Sequence, residues 1–135
     1  MTRCTAFDFH FLATGIGSVP DLDVRAACLR ILDACPHIPF WPQLVHRSHL
    51  EDMVVQFTEG LPFLEITGDR KALLRVPGHT EQELLAFYDR FLAEDVDHFA
   101  LSKTYAPGLH DLLDLVEGNP EKYGPFIKGQ TVGPV

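Results

Sequence analysis

The stretch Thr14-Gly15-Ile16-Gly17-Ser18-Val19-Pro20 has the residue types best suited to holding a ligand. Gly15 and Gly17 let backbone come close to a bound group, and Ser18 brings a hydroxyl. A helix opening just after them offers unpaired N–H groups and a positive dipole end to a carboxylate or phosphate. The same residues also make an ordinary strand-to-helix turn with Ser18 as a cap. The third glycine of the dinucleotide fingerprint is missing, which disfavours nicotinamide and flavin cofactors. His10 alternates with Phe9 and Phe11 and points away from both, so it either lines an interior or sits satisfied in a core. Gln43 offers a ligand-facing amide and Trp41 an aromatic face, although core packing is the plainer role for Trp41.

Seven His raise the question of a metal. His46 and His49, with Glu51 close behind, straddle a loop and a helix cap and have no second cluster to complete them. A zinc site needs three or four convergent ligands, and no Cys falls at ligand spacing to these His, so no metal site is expected within the chain. Cys4, Cys28 and Cys35 are an odd number. Cys28 and Cys35 lie seven apart on one helical face and read as buried thiols rather than a disulfide framework. No Ser-His-Asp order, Walker loop or Cys-x-x-Cys pair is present, and no residue is assigned a catalytic role.

The elements that must position these residues follow from periodicity. Phe7 to Ala13 alternates like a strand that ends in the glycine loop. Asp21 then caps a helix in which Leu22, Val24, Ala27, Cys28, Ile31, Leu32 and Cys35 recur at helical spacing until Pro36. Ile38 to Val45 is apolar but interrupted by Pro39 and Pro42, which makes it a short or bulged strand. Ser48 with Glu51 is a capping box for a second helix ending at Gly60. Residues 61–76 read as an inserted hairpin around Gly68-Asp69-Arg70. Thr80 with Glu83 opens a third helix, Leu101 to Ala106 is a connection, and Leu109 to Glu117 is a short amphipathic helix stopped by Gly118. Pro125 to Val135 begins as a buried strand. Strand and helix alternate as in a parallel α/β sheet, and 135 residues is about half of a ~250-residue (β/α)₈ barrel. We therefore expect an α/β fold: one incomplete domain over 1–135, the N-terminal portion of a TIM barrel with parallel strands and an inserted hairpin.

Composition narrows the partners. With 46% apolar and 22% charged residues the chain is ordinary globular protein. No apolar stretch approaches the ~20 residues that span a bilayer, and the start lacks the apolar core of a secretory signal, which predicts a cytoplasmic protein with no membrane partner. Eleven Lys and Arg against nineteen Asp and Glu give a net charge of −8, which disfavours nucleic acid. The densest acidic run, Glu81 to Asp97, reads as a solvated helix face.

The glycine loop resembles the Ile-Gly-Ser-Phe-Pro loop in the catalytic barrel of cobalamin-independent methionine synthase. Asp52-Met53-Val54-Val55-Gln56-Phe57 is similar to that family's Asp-Met-Val-Glu-Tyr-Phe helix. Lys128-Gly129-Gln130-Thr131-Val132-Gly133-Pro134-Val135 is similar to its Lys-Gly-Met-Leu-Thr-Gly-Pro-Val strand. The resemblance implies a barrel of the methionine synthase and uroporphyrinogen decarboxylase superfamily, in which Ile16, Gly17 and Ser18 contact a small thiol or carboxylate substrate such as homocysteine. In that family a zinc ion binds the thiol and lowers its pKa for methyl transfer. Its ligands lie beyond the Gly-Pro-Val strand, so the resemblance places zinc in a longer parent protein and leaves this portion inactive alone. Val55 stands where the family has the Glu that pairs with the substrate amino group. A decarboxylase-like enzyme and a non-catalytic ligand-binding or assembly module are the alternatives. A half-barrel would expose apolar edges and so form homo-oligomers or swap elements.

Overall fold

The computed structural model describes residues 11–67, 72–74 and 80–131. Its helices and strands are α1 (Val24–Ala34), α2 (Met53–Gln56), β1 (Leu64–Ile66), β2 (Ala72–Leu74), α3 (Thr80–Leu92), α4 (Val96–Phe99) and α5 (Pro107–Glu117), with a 3-10 turn at His49–Glu51.

Three extended segments lie side by side and parallel. Ser18 bridges to Gln43, and Phe40 bridges to Lys128. In the first pair the Gln43 N–H donates to the Gly17 carbonyl at 2.6 Å, and the Val19 N–H returns to the Gln43 carbonyl at 3.0 Å. In the second, the Lys128 N–H donates to Pro39 O and the Gly124 N–H to Pro36 O, both at 2.8 Å. Pro39 and Pro42 have no N–H to give, so the middle segment pairs through isolated bridges rather than a continuous ladder. Residues 7–10 of the strand read over Phe7–Ala13 lie outside the described residues, and Phe11 is exposed with φ 62°, in the left-handed region. The pairing backbone is the glycine loop itself. Gly17 makes this possible, because a Cβ there would sit 2.5 Å from Trp41 O.

α1 runs between the first and second segments and α5 between the second and third, and the two helices pack against each other. α1 begins later than its pattern suggests. Asp23, not Asp21, is the N-cap and accepts from the Ala26 N–H at 2.8 Å, while Asp21 pairs with the Arg30 guanidinium. Pro107 opens α5, two residues ahead of the expected Leu109, where its missing N–H costs nothing. Gly108 lets this helix end press on the middle segment, since a Cβ there would meet Pro42 O at 2.1 Å. Cys28, Leu32, Trp41, Leu112 and Leu115 form the core between these helices and the segments. Among the described residues the Trp41 Nε1–H is buried without a hydrogen-bond partner, at a cost of about 1–3 kcal/mol.

Residues 45–106 form an excursion between the middle segment and α5. The single helix expected after Ser48 is two short pieces, because Asp52 adopts extended backbone and caps α2 through the Val54 N–H at 3.0 Å. Ser48 caps the 3-10 turn, but Glu51 does not reach back to it as a capping box requires. The Glu51 carboxylate is fully buried, accepts from the Leu44 N–H at 3.1 Å and pairs with Arg47 Nε at 2.7 Å. β1 and β2 pair antiparallel with Leu64 opposite Leu74, inside the 61–76 stretch. α3 ends where Glu94 turns to φ 52°, and α4 follows with Asp95 as its cap. α4 lies within the acidic run, which the sequence reads as one solvated face.

Candidate functional site

The glycine loop is held in place by side-chain amides contributed by other segments. The Gly17 N–H donates to Gln130 Oε1 at 2.8 Å. Gln130 Nε2 donates to Gln43 Oε1 at 2.6 Å, and Gln43 Nε2 to Gln56 Oε1 at 2.5 Å. Gln56 Nε2 ends the chain on the Tyr105 carbonyl at 2.8 Å. Every bond runs in the same sense, so no glutamine can flip without setting donor against donor or acceptor against acceptor. Gln43 and Gln56 are fully buried, where an unpaired amide would be costly. Amides do not titrate in the physiological range, so this scaffold holds its geometry independently of pH.

Around that scaffold the loop presents a small polar surface. Ile16 and Ser18 are exposed, with Gly17 buried between them. The Lys128 ammonium donates to the Gly15 carbonyl at 2.8 Å and brings a positive charge to the loop. Thr14 Oγ1 anchors the other end by donating to Ile38 O at 2.9 Å. With one N–H spent on Gly15, the Lys128 ammonium keeps two donors and the Ser18 hydroxyl adds a third, residue types suited to a carboxylate or phosphate. The loop does not use a helix N-terminus in the way the sequence suggests. Val19 to Asp23 separate it from α1, whose first turn is served by Asp23, and the Gly17 and Val19 N–H groups are both taken.

The site residues read from sequence thus divide. Ile16 and Ser18 form the exposed loop surface, and Gly17 lies buried between them. Gln43 is joined to it, but as the middle of the amide chain rather than a free ligand-facing group. His10 lies outside the described residues. Trp41 is in the core. Sequence reasoning missed Gln56, Lys128 and Gln130. The available signal was an amide embedded among apolar residues, as in Val55-Gln56-Phe57, since a polar side chain in such surroundings needs a partner.

No three His, Cys, Asp or Glu converge in a metal-ligating group among the described residues. Cys28 is a buried free thiol. Burial, aided by nearby Asp111, pushes its pKa up to about 12, and its Sγ–H lies 3.5 Å from the Gly108 carbonyl. No helix of the described residues is long and apolar enough to cross a membrane. No protein-family model, curated protein or solved structure matches the chain.

Proposed function

We propose that this chain forms the opening strand and helix units of a methionine synthase-type (β/α)₈ barrel, with the Gly15–Ser18 loop holding the carboxylate end of a small thiol substrate for methyl transfer. The observation that supports the reading is a convergence. The three stretches similar to that family lie far apart in sequence, yet Gly17 from the first, Gln56 from the second and Gln130 from the third belong to one hydrogen-bonded chain. Parallel bridges between successive segments, with α1 and α5 lying between them in sequence and packed together, are compatible with the strand-helix repeat of such a barrel. The described residues do not supply the zinc of that chemistry, and in this reading other residues hold it.

Substrate preference follows from Val55. It stands where the similar family has the Glu that pairs with the substrate amino group, and in this reading a substrate ammonium beside an apolar side chain lacks a counter-charge. A mercaptocarboxylic acid without an amino group therefore binds at least as tightly as homocysteine. Titration calorimetry against both compounds tests this. Ser18→Ala weakens carboxylate binding by ~1 kcal/mol, the net worth of one hydrogen bond, and Lys128→Met weakens it further because a charge-assisted bond is stronger. Unchanged affinity in both variants, or no binding of either thiol to the wild-type chain, overturns the proposal.

A further inference from the structure

The excursion carries an apolar surface that the rest of the described residues leave uncovered. On α3, Leu84, Leu85, Tyr88, Phe91 and Leu92 fall on one side of the helix, and all are exposed, Phe91 by 61% and Leu92 by 77%. Val96 of α4 continues the surface at 72% exposure. Phe91, Leu92, Glu94, Val96 and Phe99 line an open hollow of about 670 Å³ at the corner between the two helices. Phe87 takes no part in it. It packs edge-on against Phe99, with ring centroids 5.5 Å apart, and against Tyr88 at 5.8 Å, which fixes α4 against α3. A patch of this extent on a folded protein marks an interaction site.

Charge identifies the occupant. Residues 80–99 carry Glu81, Glu83, Asp89, Glu94, Asp95 and Asp97 against Arg90 alone. Arg90 is itself engaged, with Asp95 at 3.5 Å and with His98 Nδ1 at 2.9 Å. Glu94 lies in the wall of the hollow, and helical spacing puts Glu81 at one end of the stripe and Asp89 on its flank. A second copy of this chain would bring the same acids, and a net charge of −8, against this rim in a two-fold contact. We propose that the α3–α4 surface is the docking site for a basic amphipathic helix, whose apolar side chains enter the hollow and whose Lys and Arg meet the acidic rim. The site stands independently of the glycine loop, because α3 and α4 contribute no side chain to the amide scaffold.

The test uses the whole chain and two synthetic amphipathic helices of equal length, one of Leu and Lys and its counterpart of Leu and Glu, followed by fluorescence anisotropy. The Lys peptide binds and the Glu peptide does not. Binding weakens as salt is raised to physiological strength, where the Debye length is about 8 Å. Phe91→Asp and Leu92→Asp, both at exposed positions that folding tolerates, each raise the Kd at least about tenfold. Glu81→Lys with Asp89→Lys slows association and flattens the salt dependence. Equal binding of the two peptides, or no binding of the Lys peptide, overturns the proposal. So does sedimentation showing a dimer that Phe91→Asp dissolves and the Lys peptide does not displace.

Discussion

Gly17 carries more of the site than its size suggests. Alanine there would place a methyl carbon 2.1 Å from Gln130 Nε2 and 2.5 Å from Trp41 O, and the second of these is backbone that cannot swing aside. We expect Gly17→Ala to lower stability by about 1–3 kcal/mol, the usual cost of overpacking, and to abolish the proposed carboxylate binding by displacing Gln130. A urea midpoint unchanged from wild type would contradict this. Cys28 makes the opposite prediction, of inertness. With its pKa near 12, the folded thiol resists alkylating reagents at neutral pH, and mass spectrometry of the native protein should find it unmodified. The sign of its effect on stability follows from the raised value. Below the ordinary thiol pKa both folded and unfolded chains hold the proton and Cys28 contributes no slope. As pH rises from about 9 toward 12 the unfolded chain releases it first, and stability falls. Gly17 and Ser18 were legible in the sequence because glycine and serine in a loop have few uses. Lys128 was not, because its role depends on the Gly15 carbonyl, more than a hundred residues away.

At the scale of elements, Glu51 shows how a correct local signal takes a different structural role. Ser48-x-x-Glu51 has the residue types of a capping box, and Ser48 does cap. Glu51 turns instead to Leu44 and Arg47, and so ties the 3-10 turn to the end of the middle segment. Glu51→Ala leaves the buried Leu44 N–H without its acceptor and should cost about 1–3 kcal/mol, whereas Glu51→Gln keeps an acceptor and should cost less. Equal urea midpoints for the two variants would remove this role. Periodicity located α1 and α5 because each buries one apolar stripe that repeats over several turns. It misjudged the residues after Ser48 because Leu50, Met53, Val54 and Phe57 fit a continuous helix, and only the extended backbone of Asp52 interrupts it. The parallel segments were harder to place. Their pairing is sparse and long-range, and the bonds that align Gly17, Gln43 and Lys128 leave no short-range pattern.

The molecule as a whole has two regions of unequal support. α1, α5 and the three parallel segments share one core around Trp41, Leu32 and Leu112. α3 rests on α4 through Phe87 and Phe99, and its remaining apolar side chains meet solvent. Native-state hydrogen exchange should therefore show the amides of α3 opening at lower free energy than those of α1 and α5, since local stability follows buried apolar contact. Equal protection across the three helices would mean that the excursion is held by more than these contacts. Binding of a basic helix should raise protection in α3 and leave α1 unchanged, because a ligand stabilises the state it binds.

Trp41 is the sole tryptophan, and its indole N–H is enclosed without a partner. An indole excluded from water and donating to nothing emits at short wavelength. The colour of the protein's fluorescence is therefore set by the packing of α1 and α5. Loosening of that region turns the emission red, while melting of α3 alone leaves it unaltered. The protein thus carries its own optical reporter, able to tell the loss of its centre from the loss of its arm.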